Sequence, residues 1–476
     1  MTRVTAALGP LGQLGQMGRS GHARFVQRSV KRPLGTPRVV SRYLHSTPLR
    51  RQEAVKEADT DTALSKFLKE TIAATGPISL SSYMRQCLTS PVGGYYVNRD
   101  PFGVSGDFTT SPEISQMFGE LVGIWVLTQW LAQGCPQKFR IVEFGPGRGT
   151  LMSDLLRAGR SFKDFSNALT DIYMIEASPS LREAQREKLC GSASLKPIDG
   201  GYMSMTKWGA PIYWFESSKE IPRESGVPTF ILAHEFFDAL PISQFENTKD
   251  GWRELLVDYS VPKDDKLLPN QTKQTTSGKE GEEQFHLVMS PHSTASSKIV
   301  PKTHSRYSKL PVGSRVEICP EAWDISQEFA SIIESCGGGA ALIVDYGPSA
   351  TIPVNTLRGI RKHKLVSPFE TPGDTDLSAD VDFQAIKIAS TKGRQVDVHG
   401  PIMQGDWLHA MGIGARATQL ADNKTTKEGK ESIEKAYNRL VEKSGGAMGK
   451  IYKVLCILPR GSAIPVGFGG SVPDPE

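Results

Sequence analysis

The chain has no run of 18 apolar residues in its 476, so nothing in it reads as a helix long enough to span a bilayer. It has six cysteines, Cys87, Cys135, Cys190, Cys319, Cys336 and Cys456, and none forms a C-x-x-C pair. That scatter excludes a zinc ribbon or a disulfide frame and fits a reduced compartment in which most of the thiols act as small core residues. No internal repeat is present. The longest stretch without an acidic residue is the start: residues 1–52 carry ten Lys/Arg and no Asp/Glu. The remaining residues hold 46 basic and 51 acidic groups, a net of −5. The sequence pI of 8.7 therefore describes the leader more than the body. A basic, Ser-containing, acid-free start reads as a mitochondrial transit peptide. The alternative is a basic tail for nucleic acid, and Pro and Gly do interrupt any amphipathic helix there. A mildly acidic body argues against a broad nucleic-acid surface. No segment specifies an oligomeric state.

What is present is led by Arg140-Ile-Val-Glu-Phe-Gly-Pro-Gly-Arg-Gly-Thr150. Ile141, Val142 and Phe144 form an apolar strand. Gly145, Pro146, Gly147 and Gly149 form a turn that can come close to a ligand without Cβ clashes. A helix from Thr150 would direct its unpaired N–H groups at that ligand. The spacing is G-x-G-x-G, with Glu143 two residues before the first glycine. A dinucleotide fingerprint is G-x-G-x-x-G, so the third glycine comes one residue early for that class. The pattern looks like motif I of class I methyltransferases, which bind S-adenosylmethionine (SAM), although a purely structural turn can have the same form. Asp171 to Glu176 is a second apolar strand ending in an acid. A carboxylate there can accept hydrogen bonds from ribose hydroxyls. Glu176 lies 27 residues beyond Gly149, against about 20 in the common fingerprint. It could also simply end a strand.

The sequence divides into the leader (1–52), an N-terminal helical cap segment (53–137) and a core (138–476) with an insertion at about 242–318. The expected class is α/β, a Rossmann-like, mostly parallel sheet. Further apolar runs, each suited to a strand buried on both faces, are 211–215, 229–233, 339–347 and 451–458. Helices are expected at 150–159, 179–189 and 320–336. In the cap segment, 53–75 and 79–88 read as helices, 93–108 as a strand and irregular loop, and Pro112 to Leu131 as one long packing helix. Within the insertion, 242–245 and 252–259 pair as a hairpin, and 261–284 is a polar loop. The polar stretch 421–434 also allows a helix.

The fourth core strand runs into His234-Glu-Phe-Phe-Asp-Ala-Leu-Pro241. In an open parallel sheet the carboxyl ends of strands line the ligand crevice. Glu235 is expected to grip a cationic acceptor, with Asp238 second. His234 would orient the substrate or accept a proton late. The alternative is that these groups cap turns. Asp345-Tyr346-Gly347 faces the same crevice, and the acidic loop 372–383 lacks EF-hand spacing, so no metal site is expected.

Taken together, Gly106 to Glu120, Glu143 to Leu151, Glu176 to Arg182, His234 to Pro241, Asp345 to Gly347 and the 372–383 loop resemble the MidA family over about residues 62–460. The resemblance implies a protein arginine methyltransferase in the mitochondrial matrix. It also implies symmetric dimethylation of an arginine on the 49-kDa-type core subunit of NADH–ubiquinone oxidoreductase, in complex I assembly. It carries Gly145, Gly147 and Gly149 over as the SAM turn and Glu176 as the ribose acid. A SAM-binding scaffold without turnover is the alternative.

Overall fold

The computed structural model describes residues 61–98, 110–262 and 282–471. The basic leader, residues 53–60 of the expected first helix, Gly106–Thr109 of the quoted motif and most of the 261–284 loop lie outside the described residues. The cap segment opens with helix Ala63–Thr75, capped by the Thr62 hydroxyl, which accepts from the Ser65 N–H at 2.9 Å. Gly76, at φ 81°, ends it. Strand β1 (Ile78–Ser79) follows, then helix Leu80–Thr89. Two expectations change here. Tyr95–Asn98 is a helical turn, not a strand. Gly94 folds back on the preceding helix end, donating to the Ser90 carbonyl at 2.7 Å, where any Cβ would sit 2.4 Å from the Ser90 nitrogen. The long helix expected from Pro112 is broken at Ser115, which is extended at φ −162°, ψ 138°. Helices Ser111–Ile114 and Gln116–Ala132 result, because the Ser115 hydroxyl caps a second start by accepting from Met117 N–H.

The core then alternates strand and helix: β2 (Phe139–Phe144), helix Thr150–Gly159, β3 (Leu169–Ile175), helix Pro179–Cys190, β4 (Lys196–Ile198), β5 (Gly201–Met205), β6 (Pro211–Phe215) and β7 (Thr229–His234). Strands β8 (Ser243–Thr248), β9 (Gly251–Ser260), β10 (Gln284–Met289) and β11 (Arg315–Ile318) leave the core. The chain returns through helix Pro320–Ser335 to β12 (Gly339–Tyr346). A small antiparallel sheet of β13 (Arg358–Arg361), β14 (Lys364–Val366) and β15 (Asp376–Ser378) comes next. Helix Phe383–Thr391, β16 (Val396–Met403), helix Lys427–Val441 and β17 (Tyr452–Pro459) follow. The helical reading of the second polar stretch therefore holds.

The main sheet has the order β16-β17-β12-β7-β2-β3-β6-β5-β4. The β12, β7, β2, β3 and β6 pairings are parallel, and β17 is antiparallel to both neighbours. Both faces are covered, which is why the parallel strands read as mainly apolar runs rather than alternating ones. Ile141 packs with Trp125 and Leu155 on one side. Val142 packs with Phe329 and Ile333 on the other. Strands β8 and β9 form the expected hairpin. They are joined by β10, β11 and the distant β1 into a second, antiparallel sheet.

Candidate active site

The turn after β2 has the conformation its glycines permit. Gly145, Gly147 and Gly149 have φ of 61°, 52° and 74°, the left-handed region that costs a side-chain-bearing residue about 1–2 kcal/mol. A Cβ on Gly145 would approach Phe236 Cδ2 to 3.0 Å. Gln185 braces the turn from below, its amide donating to the Gly147 carbonyl at 2.6 Å and to Glu176 at 3.0 Å. The Trp214 indole N–H fixes that amide by donating to its oxygen at 2.8 Å. Helix Thr150–Gly159 starts at Gly149 with no side-chain cap. Its first N–H groups are thus left for a ligand.

Gly145, Pro146, Gly147, Arg148 and Glu143 line one cleft, together with His234, Glu235 and Asp238 from the end of β7. The cofactor turn and the acids expected to meet the substrate are therefore in one place. Glu143 is fully buried, and its Oε2 has no hydrogen-bond partner among the described residues. Burial and the neighbouring Glu176 push its carboxyl up to about 8. A buried acceptor of this kind suits an ammonium donor such as that on the amino-acid end of SAM. Glu176 is placed differently from the cleft-lining residues. It is buried at the end of β3, one oxygen accepting from Ser178 N–H at 2.8 Å and the other from Gln185. Burial pushes it up to about 7, against those hydrogen bonds. Each oxygen keeps a second lone pair, so a ribose hydroxyl would share the carboxylate with the chain.

Glu235 has φ 48°, uncommon for a residue with a side chain and a mark of constraint at functional sites. Its N–H donates to the Val344 carbonyl at 3.0 Å, and Oε1 is buried without a partner among the described residues. Burial, then the charge of Asp238, pushes its carboxyl up to about 8, against a hydrogen bond from Tyr452. His234 lies against Phe118, with ring centroids 5.0 Å apart. Its Nε2 is 3.6 Å from Glu235 Oε1. Burial lowers its pKa to about 3, so the ring is neutral and a weak base. Asp238 is raised by burial, although Tyr346 hydrogen-bonds to it and Arg358 lies close enough to favour its charge.

Asp345, at the end of β12, holds this turn. Its Oδ2 accepts from three successive N–H groups, Phe236 at 3.2 Å, Phe237 at 2.9 Å and Asp238 at 3.3 Å. Burial and the charges of Asp238 and Glu235 push Asp345 far above the usual carboxylate range. Tyr96, Glu113 and Asp376 also line the cleft; nothing in the sequence marks Tyr96, whereas Glu113 belongs to a helix N-terminus able to face a cofactor and Asp376 to an acidic loop able to attract a basic segment. Tyr452 reads in the sequence only as the edge of a strand. The acidic composition of 372–383 was the one available signal for Asp376.

A larger groove, lined among others by Tyr346 and Tyr452, opens on the other side. Glu235 is the one described residue that lines both spaces. No cluster of three or more His, Cys, Asp or Glu suited to a metal ion occurs among the described residues.

Comparison with known proteins agrees with this geometry. A family described as "Putative S-adenosyl-L-methionine-dependent methyltransferase" matches residues 121–402. The chain is 36 % identical over 416 residues to protein arginine methyltransferase NDUFAF7, mitochondrial, of Xenopus tropicalis, covering 86 % of this chain and 89 % of the relative. Identity to the Danio rerio protein of the same name is 40 % over 375 residues, covering 78 % and 81 %. For the Homo sapiens protein it is 36 % over 404 residues, covering 84 % of each. The fold is shared with a Burkholderia thailandensis protein bound to S-adenosyl-homocysteine, at TM-score 0.65 and 23 % identity, covering 90 % of this chain and 99 % of that one. With a left-handed glycine cradle at the end of β2 and this similarity along most of its length, the chain belongs to the S-adenosyl-L-methionine-dependent methyltransferase family that includes the mitochondrial NDUFAF7 proteins.

Proposed function

We propose that this chain methylates arginine in a protein substrate, and that it does so in the mitochondrial matrix. In its finer form the proposal is symmetric dimethylation of an arginine on the 49-kDa-type core subunit of NADH–ubiquinone oxidoreductase, as a step in complex I assembly. The supporting observation is the place of Glu235: a buried carboxylate with one unpartnered oxygen, where the cofactor cleft meets a separate groove. The names of the relatives and the basic leader point the same way.

SAM, when bound, supplies an electrophilic methyl group on a sulfonium sulfur. Glu143 and the turn of Gly145, Pro146, Gly147 and Gly149 would hold it, with Glu176 beneath. An arginine side chain stays protonated and delocalised, with a pKa above about 12. To make one of its nitrogens attack, the protein must localise the electron pair. Paired hydrogen bonds to a carboxylate do this. Glu235 offers such a carboxylate, and a cation seated beside it favours its ionised form. As the new N–C bond forms and the S–C bond breaks, the nitrogen sheds a proton. Glu235, raised to about 8, takes it more readily than His234, lowered to about 3. His234 then shapes the site through its contact with Phe118, and Asp238 adds negative charge behind Glu235.

Incubating the full chain and SAM with the 49-kDa-type subunit, followed by intact-mass and peptide mapping, tests this. A dimethylated arginine is the expected product. An unmodified subunit, from a protein that still binds S-adenosyl-homocysteine, would defeat the proposal.

A further inference from the structure

The groove beyond Glu235 has a volume of about 1140 Å³, room for a polypeptide rather than one side chain. Its far walls are unlike its floor. Leu365 is 74 % exposed, Ile451 51 % and Val354 43 %. These are three of the ten large hydrophobic side chains most open to solvent among the described residues, and all three line this groove. Exposed apolar groups gathered at one concave site mark an interaction surface. Around them stand Lys364, Lys450 and Arg439. None of the three is ion-paired among the described residues; Arg439 donates to the Gly446 carbonyl at 2.6 Å. They stand out on a body whose net charge is −5. At the floor lies Glu235, whose carboxyl ionises when a cation sits beside it, while Asp380 is neutralised by Arg358 at 2.8 Å.

We propose that the acceptor arginine lies in a segment with apolar flanking residues and a nearby carboxylate, and that glycine–arginine-rich segments are poor substrates. This inference rests on the arginine methylation proposed above. An acceptor guanidinium reaches Glu235 at the floor. Its apolar neighbours cover Leu365, Ile451 and Val354. An acidic side chain meets the rim cations, which would repel further arginines. Glycine flanks leave the apolar walls in water and forgo the gain of covering them.

The test uses the full chain, SAM and three single-arginine peptides of equal length, with apolar/acidic, apolar/basic or glycine flanks. Methylation is read by mass spectrometry, and binding by fluorescence anisotropy with S-adenosyl-homocysteine present. The apolar/acidic peptide is expected to exceed the glycine peptide in kcat/KM by about tenfold or more. The double substitution Lys364→Glu, Lys450→Glu is expected to invert the preference between acidic and basic flanks. Equal kcat/KM for all three peptides overturns the groove assignment and leaves arginine methylation standing. Selective binding of the apolar/acidic peptide with no methylation of any peptide upholds the groove and sinks the activity. If none binds selectively and anionic phospholipid vesicles bind instead, with Leu365→Ser abolishing that binding, the surface is a membrane contact and the inference fails.

Discussion

Replacing Glu235 by glutamine should make the protein more stable and less active at the same time. In the free fold, burial and Asp238 hold the Glu235 carboxyl at about 8, against about 4.3 in an unfolded chain. Between those values the folded state keeps a proton that the unfolded state has released. The folded state binds more protons there, so stability falls as pH rises through this window. At pH 7 the cost is about 4 kcal/mol, from about 1.4 kcal/mol for each pH unit above the unfolded value. Glutamine keeps the shape and removes the ionisation. Glu235→Gln should therefore gain about 4 kcal/mol at pH 7, and the gain should nearly vanish at pH 4, where both states of the wild type are mostly protonated. Urea denaturation at pH 4, 7 and 8.5 measures this. The same variant should bind SAM by calorimetry as the wild type does, yet lose about 10²–10⁴ in kcat/KM for arginine methylation. For the wild type, kcat/KM should rise with pH and level off above about 8 as Glu235 ionises. Methylation within about threefold of wild type, or a stability gain that does not change with pH, would refute the reasoning.

Gly147→Val places a β-branched residue at φ 52°, beside the expected sulfonium, and should abolish SAM binding in calorimetry while leaving the far-ultraviolet circular dichroism intact. Asp345→Ala removes the acceptor for three N–H groups behind Glu235 and should lower kcat by about tenfold or more. Asp345→Asn, which retains an oxygen acceptor, should restore most of it. His234→Asn should stay within about tenfold of wild-type activity with an unchanged pH profile, because the histidine is already neutral; a thousandfold loss would return it to the chemistry.

Five strands of the main sheet were legible because both faces are buried: β2, β3, β6, β7 and β12 each carry an apolar run and are followed by glycine or acid. The glycine cradle and Glu235 were legible for the same reason, since each follows such a strand directly. Strand β16 was not, because Gly400-Pro401 inside it reads as a turn, which the structure absorbs as an irregularity between His399 and Ile402. Ser115 reads as a mid-helix residue, and only its extended backbone and its hydroxyl bond to Met117 show the helix restarting there. Tyr346 and Tyr452 have the composition of strand core. Their role at the site comes from pairing in β12 and β17, more than a hundred positions apart, and local periodicity carries no trace of that. Likewise β1 is two residues long, and its partner in β9 lies far along the chain.

The position of β17 has a consequence for biogenesis. It fills the slot between β16 and β12 although it is the last strand of the sheet to be synthesised. Until it arrives, the margins of β12 and β16 that it pairs in the finished molecule stand open, and the wall contributed by Tyr452 is missing. A ribosome-bound chain halted before residue 452 would be inert and prone to stick to other strands, so a holding chaperone should find its main client in the near-complete polypeptide rather than in the early one.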